Sequence, residues 1–301
     1  MNIHFSAPSK TFLSGEYAVL AGGPALLLNT EPRFTLTAEK GETSLTGIPG
    51  GSPAYRWLEA RSPLLKEWNI KFHDPHDGRG GFGASSAQFL FVHALTSLLQ
   101  ISVSRAVEGL DLPALLKDFK TLTEGKASGA DIMGQAVGHV ASVHVGNGSE
   151  APEAQGTPWP FPELNFTILR TGNKVQTHQH LNELEREPLE ALLAPANQVN
   201  EAFRSEGSAD MFVATVKTYA QTLRELHLQA PSTLALLKRI EEQGWCKAAK
   251  GCGALGADTI LVMYAREEQE TAKRFFTEQK FEIAADNSQL SEGLQMKWSW
   301  T

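Results

Sequence analysis

The stretch Gly78-Arg79-Gly80-Gly81-Phe82-Gly83-Ala84-Ser85-Ser86-Ala87 runs directly into Gln88-Phe89-Leu90-Phe91-Val92-His93-Ala94-Leu95. Glycines at 78, 80, 81 and 83 leave backbone N–H groups without side-chain shielding. Phe89, Val92, Leu95 and Leu99 then recur at helical spacing, which predicts a helix beginning at the serines. A glycine turn feeding a helix N-terminus suits an anion, because unpaired N–H groups and the helix dipole both favour negative charge. The alternative is a flexible loop capped by serine. No lysine follows Gly83, so the loop is not of the Walker type. A dinucleotide fingerprint also asks for an acidic residue about 20 positions on. The chain there reads Ile101-Ser102-Val103-Ser104-Arg105-Ala106, without one. The loop reads as a phosphate binder of a third kind.

The rest of the composition narrows the setting. The 301 residues suffice for one large domain or two modest ones sharing a cleft. A net charge of −7 argues against a nucleic-acid or anionic-membrane surface, though not against a local basic pocket. Cys246 and Cys252 are too few and too close for a disulfide framework, which points to a reducing cytoplasm. The N-terminus lacks the pattern of a signal peptide, and no apolar run is long enough to span a bilayer. The expectation is a soluble cytoplasmic protein with a small-molecule partner.

Along the chain, residues 3–20 predict a strand, a turn at Ala7-Pro8-Ser9 and a second strand. Short strands follow at Ala25–Leu28 and Arg33–Ala38, with a helix over Ala54–Glu67 and a strand at Ile70–His73. Asp111 before Leu112-Pro113 signals a helix start. Val140–Val145 predicts a strand, and residues 146–162 carry no period and suit a domain junction. Beyond it come a strand at Asn165–Leu169 and helical patterns at 181–194, 197–205, 208–227 and 231–243. The strand Thr259–Tyr264, the helix Glu267–Gln279 and the strands Phe281–Ala284 and Leu294–Trp298 complete an α+β chain in two halves.

Small-residue turns near positions 10, 83 and 255 each adjoin a predicted strand or helix end. Together they resemble the GHMP small-molecule kinases, and the resemblance covers nearly the whole chain. Pro8-Ser9-Lys10-Thr11-Phe12-Leu13-Ser14-Gly15-Glu16-Tyr17-Ala18-Val19 is similar to the first family motif. Gly81-Phe82-Gly83-Ala84-Ser85-Ser86 is similar to the second, with Asp77 where the family has proline. Lys250-Gly251-Cys252-Gly253-Ala254-Leu255-Gly256-Ala257 is similar to the third, with Leu255 and Ala257 in place of glycines. Ser128-Gly129-Ala130-Asp131 matches a Ser-Gly-x-Asp turn, and Thr171-Gly172-Asn173-Lys174-Val175-Gln176-Thr177 a Thr-Gly turn after a strand. Five motifs in family order are far more specific than any one.

The resemblance implies a two-domain fold, with a mixed α/β domain over 1–155 and a ferredoxin-like α+β domain over 156–301. It implies ATP and Mg²⁺, with nucleotide phosphates on Gly80, Gly81, Gly83, Ala84, Ser85 and Ser86. Ser85 aligns with a magnesium-binding serine. Glu124 is the nearest candidate for a second metal ligand, but Lys120 stands at the family's usual glutamate position. Asp131 corresponds to the catalytic carboxylate, which would accept or orient the acceptor's proton; its alternative is a helix cap. Lys10 corresponds to the lysine beside it, offsetting negative charge at the transferred phosphoryl group. Glu16, Tyr17, Ser128, Gly129, Gly253 and Ala254 would line the substrate.

Gly15-Glu16-Tyr17-Ala18-Val19-Leu20 and Asp258 resemble the phosphomevalonate kinase branch. Chain length and the suitability of Asp131 for a hydroxyl acceptor lean the other way, toward mevalonate kinase. The expectation is phosphomevalonate, with mevalonate the alternative, either one in isoprenoid precursor synthesis. An acceptor phosphate would need basic side chains, for which Arg79, Lys126, Arg170 and Lys174 are available. A catalytically silent sensor of the same fold is the rival from another class. A monomer and a homodimer fit equally. His93, His178, His180, Trp298 and Trp300 read as structural, and the two cysteines as unpaired.

Overall fold

The structure is a computed structural model that describes residues 1–100, 110–146, 150–172, 187–205 and 207–299. The rest of the Thr-Gly turn beyond Gly172, Lys174 included, lies outside the described residues, as do His178, His180, Trp300 and the start of the helix expected over 181–194.

The chain opens with two long strands, β1 (Asn2–Ser14) and β2 (Ala25–Lys40), paired antiparallel. The turn expected at Ala7-Pro8-Ser9 is absent. Pro8 pairs across from Arg33 and Ser9 from Thr30, so Glu31 and Pro32 on β2 absorb the irregularity. Proline lacks an N–H and is tolerated where a bulge already interrupts the ladder. The two strands expected at Ala25–Leu28 and Arg33–Ala38 are for the same reason one. The strand expected through Leu20 gives way to a 3₁₀ turn at Ala18–Ala21. Gly15 bends the chain there at φ 90°, and a Cβ on it would lie 2.4 Å from the Pro24 carbonyl oxygen.

Then follow β3 (Ser44–Thr46), α1 (Pro53–Glu59), β4 (Trp68–His73), α2 (Ala84–Gln100), α3 (Leu112–Leu122), α4 (Ala130–Val137), β5 (Val140–His144) and β6 (Glu153–Thr157). Helix α1 stops short of the expected Glu67, because Pro63 cannot continue a helix and a 3₁₀ turn takes over at Ser62–Leu65. Asp111 caps α3 as expected, accepting from the Ala114 N–H at 2.9 Å. The second half contains β7 (Leu164–Arg170), α5 (Leu193–Arg204), α6 (Ala209–Glu225), α7 (Pro231–Glu241), β8 (Cys246–Cys252), β9 (Thr259–Ala265), α8 (Gln269–Glu278), β10 (Glu282–Asp286) and β11 (Gln295–Ser299).

Among the described residues the strands form two sheets. The first runs β11-β1-β2-β4-β3, and β5 with β6 joins the β2 edge beside β4. Strand β2 is long enough to hold β5 with residues 25–28 and β4 with residues 35–40. The second sheet has the order β10-β7-β9-β8 with every neighbour antiparallel. Counted within that sheet this is 4-1-3-2, the ferredoxin-like arrangement of two split β-α-β crossovers. The last strand does not stay with the second half: β11 returns to pair with β1, Asn2 opposite Ser299. One continuous apolar cluster runs from Phe5, Phe34 and Phe89 in the first half to Phe166, Phe212 and Tyr219 in the second. The junction between the sheets is therefore packed, and the small-residue turns meet along it.

Candidate active site

Lys10 lies on β1 with its side chain only 9% exposed, and its Nζ stands 2.9 Å from Asp131 Oδ2. The glycine loop closes directly over this lysine. Its backbone N–H donates to the Phe82 carbonyl at 3.0 Å. A Cβ on Gly83 would come 2.8 Å from Lys10 Cγ, so only glycine fits there. Lys10 Nζ also sits 4.7 Å from the centre of the Phe12 ring.

Asp131 is not the cap of α4. Gly129 holds that position at φ 80°, and Ser128 Oγ accepts from the Ala130 N–H at 3.3 Å. Asp131 lies inside the first turn, where a helix favours negative charge. One turn on, buried Gln135 donates from Nε2 to the Pro8 carbonyl at 2.8 Å, tying α4 to β1. Lys10 and Asp131 are thus held by two packed elements rather than by a loop.

Gly78, Gly80, Gly81 and Gly83 all have positive φ, and α2 begins at Ala84 with Ser85 exposed and Ser86 buried. Left-handed glycines ahead of a helix form a concavity of N–H groups suited to phosphate oxygens. Asp258 fills the space between this loop and the third small-residue turn. A Cβ on Gly81 would lie 2.8 Å from Asp258 Cβ, and one on Gly253 2.2 Å from its Oδ2. Leu255, in a glycine position of the third motif, takes the left-handed conformation anyway at φ 51° and donates its N–H to the Tyr17 hydroxyl at 2.8 Å.

Two residues expected to line the substrate are engaged internally. Tyr17 is 3% exposed, and burial above all pushes its hydroxyl pKa upward. Glu16 Oε1 lies 2.5 Å from Lys250 Nζ, with side-chain exposures of 5% and 0%. Tyr219 donates to Glu16 Oε2 at 3.2 Å, and Lys250 also reaches the carbonyls of Phe12 and Gly251. Burial opposes the Lys250 charge, but Cys252 and Glu16 outweigh it and the pKa is raised. These groups fasten the end of β1 to β8. Glu124 is on an exposed turn, its carboxylate 3.4 Å from Lys126 Nζ. Among the described residues no group of three or more His, Cys, Asp or Glu could hold a metal ion.

A second cluster lies against the glycine loop. Phe82 is stacked by His76 at 4.2 Å and flanked by the Arg170 guanidinium at 4.5 Å. Ser9 donates its hydroxyl proton to the Pro32 carbonyl, so it accepts from His76 Nε2 at 2.6 Å. That leaves His76 Nδ1 as the acceptor for Arg170 Nη2, also at 2.6 Å. Burial, with the Arg170 charge, lowers the His76 pKa to about 4. The unfolded chain, with a histidine pKa of about 6.5, takes up this proton before the folded one does. Stability from His76 is thus full above about 6.5 and lost as pH falls toward 4. His76→Gln should flatten the fall of the thermal midpoint between pH 6.5 and 5; an unchanged pH slope would exclude His76 as its source.

No protein-family model and no curated protein matches the sequence. Solved structures do match. Streptococcus pneumoniae phosphomevalonate kinase is similar with a TM-score of 0.74 and 17% identity, over 95% of this chain and 99% of that one. Its complex with phosphomevalonate and AMPPNP gives 0.74 and 15%, over 94% and 98%. L. major mevalonate kinase in complex with R-mevalonate gives 0.65 and 15%, over 92% and 94%. This is the GHMP kinase fold. The likeness runs nearly end to end along the chain, with 92–95% of it covered in these three comparisons.

Sequence reading missed three parts of this site: His76, Gln135 and the pairing of Glu16 with Lys250. Single charges within two otherwise apolar runs, Glu16 in one and Lys250 in the other, were a usable signal of a buried pair. Nothing in the periodicity marked His76. His93 is the structural histidine expected, stacked on Trp57 and 3.1 Å from Asp118 Oδ2. Cys246 and Cys252 are unpaired, as expected.

Proposed function

We propose that the chain is an ATP-dependent small-molecule kinase of isoprenoid precursor synthesis whose acceptor is phosphomevalonate. The observation behind this reading is the Lys10–Asp131 pair at 2.9 Å beneath a glycine loop that closes on Lys10. Phosphoryl transfer asks mainly for positioning and charge neutralisation, and these parts supply both. The loop from Gly80 to Ser86 would cradle the nucleotide phosphates. Lys10 would offset charge on the transferred group. Asp131 would orient the acceptor and, for a hydroxyl, receive its proton.

The exposed Ser85 hydroxyl suits Mg²⁺, which takes few protein ligands and supplies charge neutralisation on phosphates. Glu124 is paired with Lys126 on an exposed turn and is the weaker candidate for that site. Ser85→Ala is expected to lower metal-dependent turnover more than it weakens acceptor binding; an equal effect on both would remove Ser85 from the metal. The enzyme would be soluble and cytoplasmic, as a monomer or a homodimer.

Tyr17 and Asp258 support the phosphomevalonate branch, together with Arg79 and Arg170 beside the loop. The Lys10–Asp131 geometry supports the second reading, a mevalonate kinase, since a carboxylate so placed suits a hydroxyl acceptor. A silent sensor has no use for that pair. The deciding experiment is ADP release measured with mevalonate, phosphomevalonate, homoserine and several sugars. Turnover with phosphomevalonate is expected; turnover with mevalonate alone would overturn the choice of acceptor, and no ADP release with any would overturn the kinase reading.

A further inference from the structure

Arg79 and Arg170 reach one carboxylate oxygen from different parts of the fold. Arg79 Nη1 is 2.6 Å from Glu282 Oε1, and Arg170 Nε is 3.1 Å from the same atom. The second approach is poorly aimed, for Arg170 Nε is buried without a hydrogen-bond partner. Glu282 begins β10, directly opposite Arg170 in the register, and its side chain is 54% exposed. The Arg79–Glu282 pair is open at both ends, 50% and 54% exposed, whereas Arg170 is 11% exposed. An ion pair open to water contributes little to stability, so Arg79 gives up this carboxylate for another anion at little cost.

Arg170 does not depend on Glu282 for its place. His76 Nδ1 accepts from its Nη2, and Phe82 of the glycine loop lies under its guanidinium. Arg79 Nε donates to the His76 carbonyl at 3.2 Å, which steadies the second guanidinium beside the first. Asp74 also bears on Arg170, but its carboxylate oxygens accept from the His76 and Gly78 N–H groups at 2.8 and 3.0 Å. Glu282 is the carboxylate actually presented to both arginines.

We propose that Arg79 and Arg170 form a phosphoryl-binding pair beside the glycine loop, with Glu282 as a resident counter-ion that the phosphoryl group displaces. A phosphoryl group offers three oxygens in a tetrahedral array, enough to serve Arg79 Nη1 and Arg170 Nε separately where one carboxylate oxygen is now shared. His76 is a positioning residue in this arrangement. The proposal rests on the kinase reading, and the phosphoryl group belongs either to the nucleotide or to a phosphorylated acceptor.

The test uses the full chain. Glu282→Gln removes the competing charge and keeps the side-chain size, so it should lower the KM of one substrate about fivefold with little change in kcat. ATP as the affected substrate assigns the pair to the nucleotide; phosphomevalonate assigns it to the acceptor. Arg79→Ala should raise the same KM about tenfold, and Arg79→Lys should recover part of that loss. Both KM values unmoved by Glu282→Gln and by Arg79→Ala would overturn the proposal. Should the wild type release no ADP with any acceptor, the kinase reading fails on its own, and inorganic pyrophosphate becomes the probe. Glu282→Gln should then show a larger thermal shift with pyrophosphate than the wild type, and Arg79→Ala a smaller one. Equal shifts in all three proteins would overturn the pair as a phosphoryl site.

Discussion

Asp131→Asn is expected to lower turnover by about a hundredfold or more while leaving the thermal midpoint near that of the wild type. The substitution keeps size and shape and removes one negative charge 2.9 Å from Lys10 Nζ. No capping bond is lost, because Gly129 occupies the cap of α4 and Ser128 serves the Ala130 N–H. The loss of the Lys10 counter-charge is softened, because the Asp131 side chain is 29% exposed and its amide oxygen can still accept from Lys10. The loss should fall on kcat, with the KM of ATP little changed, since the carboxylate faces the lysine rather than the glycine loop's N–H groups. Lys10→Met should give a similar loss, and the double variant should be little worse than either, as expected of two groups that act as one unit. Turnover within about twofold of wild type would show that the carboxylate does no work in the transfer.

The second large effect is on stability. Lys250→Met should cost on the order of 3–5 kcal/mol, because it leaves the Glu16 carboxylate buried without its cation. Among the described residues, the Tyr219 hydroxyl would remain as a donor to it. Glu16→Gln combined with Lys250→Met should recover much of the loss, since an apolar and a neutral group can share a buried site that a lone charge cannot. Urea unfolding midpoints of the wild type, the single variant and the double variant measure this. A single variant as stable as wild type would mean that the pair is not needed to join β1 to β8. A double variant no better than the single would mean that shape, rather than charge, sets the cost.

Local signals carried much of the architecture. Asp111-Leu112-Pro113 announced α3, and the apolar run Thr259–Tyr264 announced β9, because capping chemistry and burial act over a few neighbouring residues. The same locality misled at Ala7-Pro8-Ser9. A proline reads as a turn when seen alone, and only the partner strand, with two extra residues opposite, lets β1 continue. The 4-1-3-2 order of the second sheet and the return of β11 to β1 were out of reach for local reasoning, since both are pairings between distant segments.

The candidate site divides along the same line. By itself the sequence determined which residue types were available: a run of glycines before a helix, a lysine after Pro8-Ser9, an aspartate in a Ser-Gly-x-Asp turn. Those are properties of short stretches, set by backbone freedom and side-chain chemistry. Only the tertiary structure decided their partners. It placed Lys10 against Asp131, paired Glu16 with Lys250, and set Arg79 and Arg170 on one carboxylate oxygen. A charged side chain has no fixed role until folding decides what shares its low-dielectric surroundings, because the cost of burial and the gain from pairing both depend on groups far away in the chain.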